Sequence, residues 1–224
     1  MKNILKTLVL FATISIGAQN TVTKTVGEFS ELKVYDLINV ELIKSKENKV
    51  EITGKNASDV VVVNKNGVLK IRLNLEEIFD GNKTDVKLYY TGFDVIDVNE
   101  GAYVNSTEQI KQFEVELKAQ EGGLINLNLD TKETKIKAVT GGIIEINGKT
   151  NNQSVTIGTG GILKAESLRS TNAKVAIRAG GEAYINATEL LDIKIRAGGD
   201  VFIYGKPNKV NENRALGGRI KYMN

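Results

Sequence analysis

The sequence contains no histidine and no cysteine. That excludes Ser-His-Asp and Cys-His nucleophilic sets, the usual zinc sites, thiol chemistry and any disulfide framework. Proline occurs once, at Pro207, against 22 glycines. Beyond residue 18 no apolar run approaches the 18 or so residues that a membrane helix needs, so no transmembrane segment is predicted. An excess of one charge is also missing. Residues 1–18 read as a secretory signal peptide: a positive start at Lys2 and Lys6, an apolar run from Leu8 to Ile16, and small residues Gly17-Ala18 at the cleavage point. The alternative for this stretch is a buried N-terminal strand. Removing it takes away two of the 30 basic residues and none of the 27 acids, which leaves a net charge near +1. That balance gives no reason to expect a nucleic-acid partner. With no cysteine near the cleavage point, lipoprotein-type anchoring is excluded. The expected location is the periplasm, the cell surface or the medium.

The glycines are not scattered. They recur as Gly122-Gly123, Gly141-Gly142, Gly160-Gly161, Gly180-Gly181, Gly198-Gly199 and Gly217-Gly218, in steps of 19, 19, 20, 18 and 19 residues. A half-match, Gly101-Ala102, precedes them. A fixed period of this size marks stacked repeats. Five and three residues before each of the first five pairs stand apolar residues, as in Leu117/Ala119 and Ile136/Ala138. Two and four residues after it stand Ile125/Leu127, Ile144/Ile146 and their equivalents. A spacing of two puts both residues on one face of a strand, while positions between them, such as Lys118, Lys137 and Lys194, are mostly polar. Each unit is therefore strand, glycine bend, strand, turn. Equivalent strands run the same way and pair in parallel, which predicts an all-β parallel β-helix, or solenoid, of about six to seven rungs. In the last unit Glu212 and Arg214 take the inward positions, either as charges that stop further stacking or because the segment swings out as a loop.

Residues 19–92 are strand-rich but off this period, and are expected to form a β region that caps residues 93–224 within a single domain. Val60 to Val63 is a continuous β-branched run, which suggests burial on both faces. Asn66-Gly67 is a hairpin signal, and Leu75 to Asp80 is a short helical turn or a loop. The Phe29-Ser-Glu-Leu-Lys-Val34 segment, the Gly67-Val-Leu-Lys-Ile71 strand and the Gly-Gly units together resemble the putative auto-transporter adhesin head GIN domain family, over about Phe29 to Met223. The resemblance implies a secreted, right-handed parallel β-helix of Bacteroidetes type with an adhesin label. It brings no catalytic or binding motif to carry over.

Candidate chemistry is sparse. Glu182 and Asp200 follow their glycine pairs directly, while Arg178 and Arg196 stand just before them. Paired acids on one sheet face are what polysaccharide-cleaving β-helices use. Here the arginines point to an ion-pair ladder across the bend instead, joined by Arg219. Calcium-binding β-roll and phosphate-loop patterns both fail, and no cofactor or metal is predicted. Asn128, Asn147 and Asn186 share one position and suggest an asparagine ladder. Tyr184 and Phe202 take the same outward position in adjacent rungs, with Tyr204 beside them. Such aromatics either stack on a sugar or seat a partner protein, or they pack beneath neighbouring chain. The lysine row could favour acidic glycans or serve as a solvated face. The sequence thus points to a non-enzymatic binding scaffold for a glycan or a cell-surface protein. A polysaccharide-active enzyme and a purely structural or oligomerising envelope module are the alternatives.

Overall fold

The computed structural model describes residues 21–74 and 81–223. The signal-peptide segment and Leu75–Asp80 lie outside the described residues. The first strands are β1 (Val22–Thr25), β2 (Glu31–Val34), β3 (Asn39–Lys44), β4 (Lys49–Gly54), β5 (Val60–Lys65), β6 (Val68–Leu73) and β7 (Thr84–Tyr90). The repeat region follows with β8 (Val95–Val98), β9 (Tyr103–Lys111), β10 (Glu114–Ala119), β11 (Leu124–Asp130), β12 (Glu133–Val139) and β13 (Ile143–Gly158). It ends with β14 (Ile162–Ile177), β15 (Glu182–Ala197), β16 (Asp200–Tyr204), β17 (Lys209–Leu216) and β18 (Arg219–Tyr222). The result is a β-solenoid of about seven turns.

The predicted period is the stacking register. Leu117 lies beside Ile136, Ile136 beside Val155, Val155 beside Val175, and Val175 beside Ile193, all in parallel. On the other side of the glycine bend Ile125, Ile144, Leu163, Ala183 and Val201 form the matching ladder. All ten are buried. Alternation is nearly complete in Glu114–Ala119, where every second residue faces the core. The unequal steps of 20 and 18 residues have a local cause. The ladder breaks register between Glu145 and Asn147, and again between Ala165 and Arg169. A bulge near Glu166–Leu168 takes up the extra residue, and the next rung gives it back.

The glycine bend separates two requirements. Val139-Thr140-Gly141-Gly142 closes a turn in which the Gly142 amide donates to Val139 O at 2.9 Å, with φ of +50° at Thr140 and +73° at Gly141. Two successive left-handed residues give the tight return characteristic of the I′ turn. Gly141 is needed for its φ, since a Cβ there would meet nothing within 4 Å. Gly142 is needed for space, since its Cβ would lie 2.1 Å from Ala119 O in the rung below.

The N-terminal region is part of the column. β2 pairs in parallel with β6 on one side and β8 on the other, and β3 does the same with β7 and β9. β6 and β7 thus stack outside the rung made earlier in the chain. Antiparallel strands then cover that end: β5 on β6, β4 on β7, and β1 on β4. Asn66-Gly67 makes the predicted two-residue hairpin, with φ of +53° and +76°. The expectation for Val60–Val63 is corrected. Among the described residues β5 pairs on one side only, and burial falls along it from Val60 to Val63, which is 47% exposed.

Polar groups enclosed at one corner satisfy each other. The Thr131, Thr134 and Thr150 hydroxyls lie within 2.7–3.1 Å of one another. The asparagine ladder lies elsewhere than predicted. Asn152 donates to Glu133 at 2.7 Å and Asn172 to Asn152 at 2.9 Å, whereas Asn186 bonds to Glu166 O and Asn128 to Gln109. Glu212 and Arg214 do stack on Ile193 and Ile195, as exposed residues 3.9 Å from each other.

Candidate functional site

The outer face of one sheet carries two rows of side chains along the column. The first passes through Asp85, Asn39, Tyr103, Leu124, Ile143, Ile162, Glu182, Asp200 and Arg219, each in register with the next. The second passes through Lys87, Glu41, Asn105, Asn126, Glu145, Lys164, Tyr184, Phe202 and Lys221. In the middle of the column the first row is apolar and half-buried while the second is polar, so the face is two-toned. Alternation alone missed this, because Leu124, Ile143 and Ile162 occupy outward positions next to the glycine pairs.

At the C-terminal end Tyr184 and Phe202 stack, with ring centroids 4.5 Å apart and planes 14° apart. Rungs repeat at about this spacing, so rings standing in register meet face to face. Tyr204 lies 6.4 Å from Tyr184, and the Lys221 ammonium lies 5.4 Å from the Phe202 ring centre. The two rings therefore spend a face on each other and show their outer edges. The Tyr184 hydroxyl donates to Glu182 at 2.8 Å, and this bond holds the phenol's pKa up at about 12. Next to the ladder is a groove of about 560 Å³, lined by Gly181, Gly199 and Gly218 with Glu182, Asp200 and Arg219. The glycines leave it without side chains along its floor.

The structure brings Asp200 and Arg219 together as a two-pronged pair, with Arg219 Nε donating to Asp200 at 2.8 Å. That bond holds the Asp200 carboxyl below its ordinary range. The wider ladder does not form. Arg178 and Arg196 are exposed and make no ion pair among the described residues, and neither does Glu182. The reason is geometric: Asp200 and Arg219 are direct register partners, whereas the two other arginines lie across the turn from the acids.

At the N-terminal end the same face is concave. A cleft of about 740 Å³ is lined by Asn39, Glu41, Glu51, Asp85, Lys87 and Tyr103, among others. No sequence signal pointed here, because the strands that form it are brought together by the out-of-order stacking. Three carboxylates, Glu41, Glu51 and Asp85, line it, and a glycoside-cleaving site needs a pair of acids. Two of the three are already hydrogen-bonded. Glu51 accepts from the Tyr89 hydroxyl at 3.0 Å and is 3.3 Å from Lys49, and both hold it below the usual carboxyl range. A general acid needs the opposite shift. Asn39 donates to Asp85 at 3.1 Å. Among the described residues no group of three or more acids is placed to hold a metal ion. Among the described residues no helix is long and apolar enough to cross a membrane.

The fold is a parallel β-solenoid with one long two-toned outer face. The chain belongs to the family described as "Putative auto-transporter adhesin, head GIN domain", whose model matches residues 28–207. Solved structures share its fold. A "putative adhesin" from Bacteroides fragilis NCTC 9343 superposes with a TM-score of 0.84 at 16% identity, over 92% of this chain and 98% of that one. A "putative lipid binding protein" from Parabacteroides distasonis ATCC 8503 gives 0.71 at 17% identity, over 93% and 98%. A "putative adhesin" from Parabacteroides merdae ATCC 43184 gives 0.67 at 19%, also over 93% and 98%. No functionally curated protein matches the sequence.

Proposed function

We propose that this protein is a non-enzymatic, adhesin-like scaffold at or outside the cell surface, and that it binds an extended glycan along the two-row face. The observation that carries the reading is the pairing of the apolar row Leu124–Ile143–Ile162 with the polar row Asn126–Glu145–Lys164, in register over adjacent rungs. A sugar chain presents the same two characters, C–H faces and hydroxyls, at a repeating distance. The concave end offers carboxylates, an amide and the Tyr103 ring. The groove end offers Glu182, the ladder edges and the Asp200–Arg219 pair. The family's adhesin description supports a surface role.

Because Tyr184 and Phe202 stack on each other, a ligand meets ring edges and the Tyr204 side rather than a free ring face. Screening the chain on a glycan array should give binders, and Tyr184→Ala with Phe202→Ala should weaken them about tenfold, the worth of one well-placed aromatic contact. Tyr103→Ala at the far end should weaken the longer glycans most. Binding that ignores all three substitutions, or binding to surface proteins alone, would sink the glycan reading.

A further inference from the structure

The last rung leaves a sheet edge open. β17 pairs with β15 and β18 with β16, and neither has a second neighbour among the described residues. Exposed apolar side chains gather there: Leu216 is 75% exposed, Tyr222 54% and Met223 43%. Which backbone groups of β17 are free follows from its bonds. The Asn208 amide donates to Thr188 O, and Leu216 O accepts from Gly198. Even-numbered residues therefore turn their amides toward β15, and alternation leaves Asn211, Asn213 and Ala215 with N–H and C=O pointing outward. The inward side chains of the strand are Val210, Glu212, Arg214 and Leu216.

The strand is complementary to itself. A two-fold axis normal to the sheet sets β17 antiparallel to its copy and keeps inward residues opposite inward residues. Only a few registers obey that condition. Centring on Glu212 or Arg214 places a like charge opposite itself. Centring on Asn211 or Ala215 sets Glu212 against Val210, or Arg214 against Leu216. Centring on Asn213 sets Glu212 against Arg214 and Val210 against Leu216 on both sides of the axis. In that register Asn213 meets Asn213 and Asn211 meets Ala215 through their free backbone groups. The charged and apolar pairs then fall at the closer positions, with Cα atoms about 4.5 Å apart.

We propose that two copies of this chain join end to end through β17, antiparallel and centred on Asn213, so that the two sheets become one. Inward charges usually protect an open edge from pairing. Here they select one register, because Glu212 and Arg214, which make only a 3.9 Å contact within one strand, each face the opposite charge when the same strand is reversed. The dimer would present two copies of the outer face on one rod.

Sedimentation velocity of the full chain should give a species of twice the mass of one chain. Glu212→Arg faces Arg214 of the other copy and should return the protein to single-chain mass, with its circular dichroism unchanged. Adding Arg214→Glu restores the opposite charges and should restore the dimer, which a misfolded variant could not do. A single-chain mass for the unmodified protein at all concentrations overturns the proposal. So does a dimer that survives Glu212→Arg, or a charge swap that fails to rescue it.

Discussion

Glycine in this chain answers two separate needs, and one substitution at each of two adjacent positions separates them. At Gly141 a side chain has room but the backbone is left-handed, at φ +73°. Gly141→Ala should cost about 1–2 kcal/mol, the usual price of that conformation. At Gly142 the added methyl would run into the Ala119 carbonyl, which is backbone and cannot turn aside. Gly142→Ala should cost more, about 3 kcal/mol or above, because the rungs must part. Urea unfolding of the two variants checks the order. The sequence showed that both glycines matter, but not that the turn begins one residue earlier. Thr140 and Thr159 sit at φ +50°, an uncommon place for a β-branched residue, and nothing in their chemistry announces it. From Gly180 onward both glycines of each pair take positive φ and the preceding residue, Ala179, Ala197 or Leu216, does not. The repeat changes its turn while keeping its letters.

At the scale of elements, the attachment of β18 to β16 depends on a charge. The Arg219 hydrogen bonds lower the Asp200 pKa, so at a given low pH the unfolded chain binds more protons than the folded one. Stability from this pair is complete above the ordinary aspartate range and is lost as pH falls through the depressed folded value. Amide protection in Arg219–Tyr222, taken relative to the intrinsic rate at each pH, should fall on that descent, and Asp200→Asn should remove this pH dependence. The effect should be modest, because the Arg219 side chain is 68% exposed. Strands of the repeat were legible because alternation and period agree, as in Glu114–Ala119. The strands β2 and β3 were visible as strands but not as rungs. Leu32 meets Leu69 on one side and Ile96 on the other, and no fixed step links the three. The buried threonine cluster was hidden for a related reason. Thr131, Thr134 and Thr150 come from two rungs and meet only at a folded corner. The aromatic ladder was legible in register. Its geometry was not, since only coordinates show rings turned toward each other.

For the whole molecule, a column in which each rung touches only its neighbours should be most protected in the middle and least at the ends. Hydrogen exchange should run slowest in β11 to β14. It should run fastest in β5, which pairs on one side, and in β17, whose residues are nearly all exposed. Loss of β17 protection on dilution would report the same end of the column from another direction.

The out-of-order stacking near the N-terminus has a consequence for synthesis. β2 and β3 leave the ribosome first, yet both of their neighbours are made later. β6 and β7 end at residue 90, and β8 and β9 run to residue 111. A nascent chain that stops before Thr84 holds β3 with neither parallel partner. Later rungs can be added one at a time, but the first cannot settle alone. The smallest stable nucleus is therefore three rungs deep, and its middle rung is made before the two that flank it.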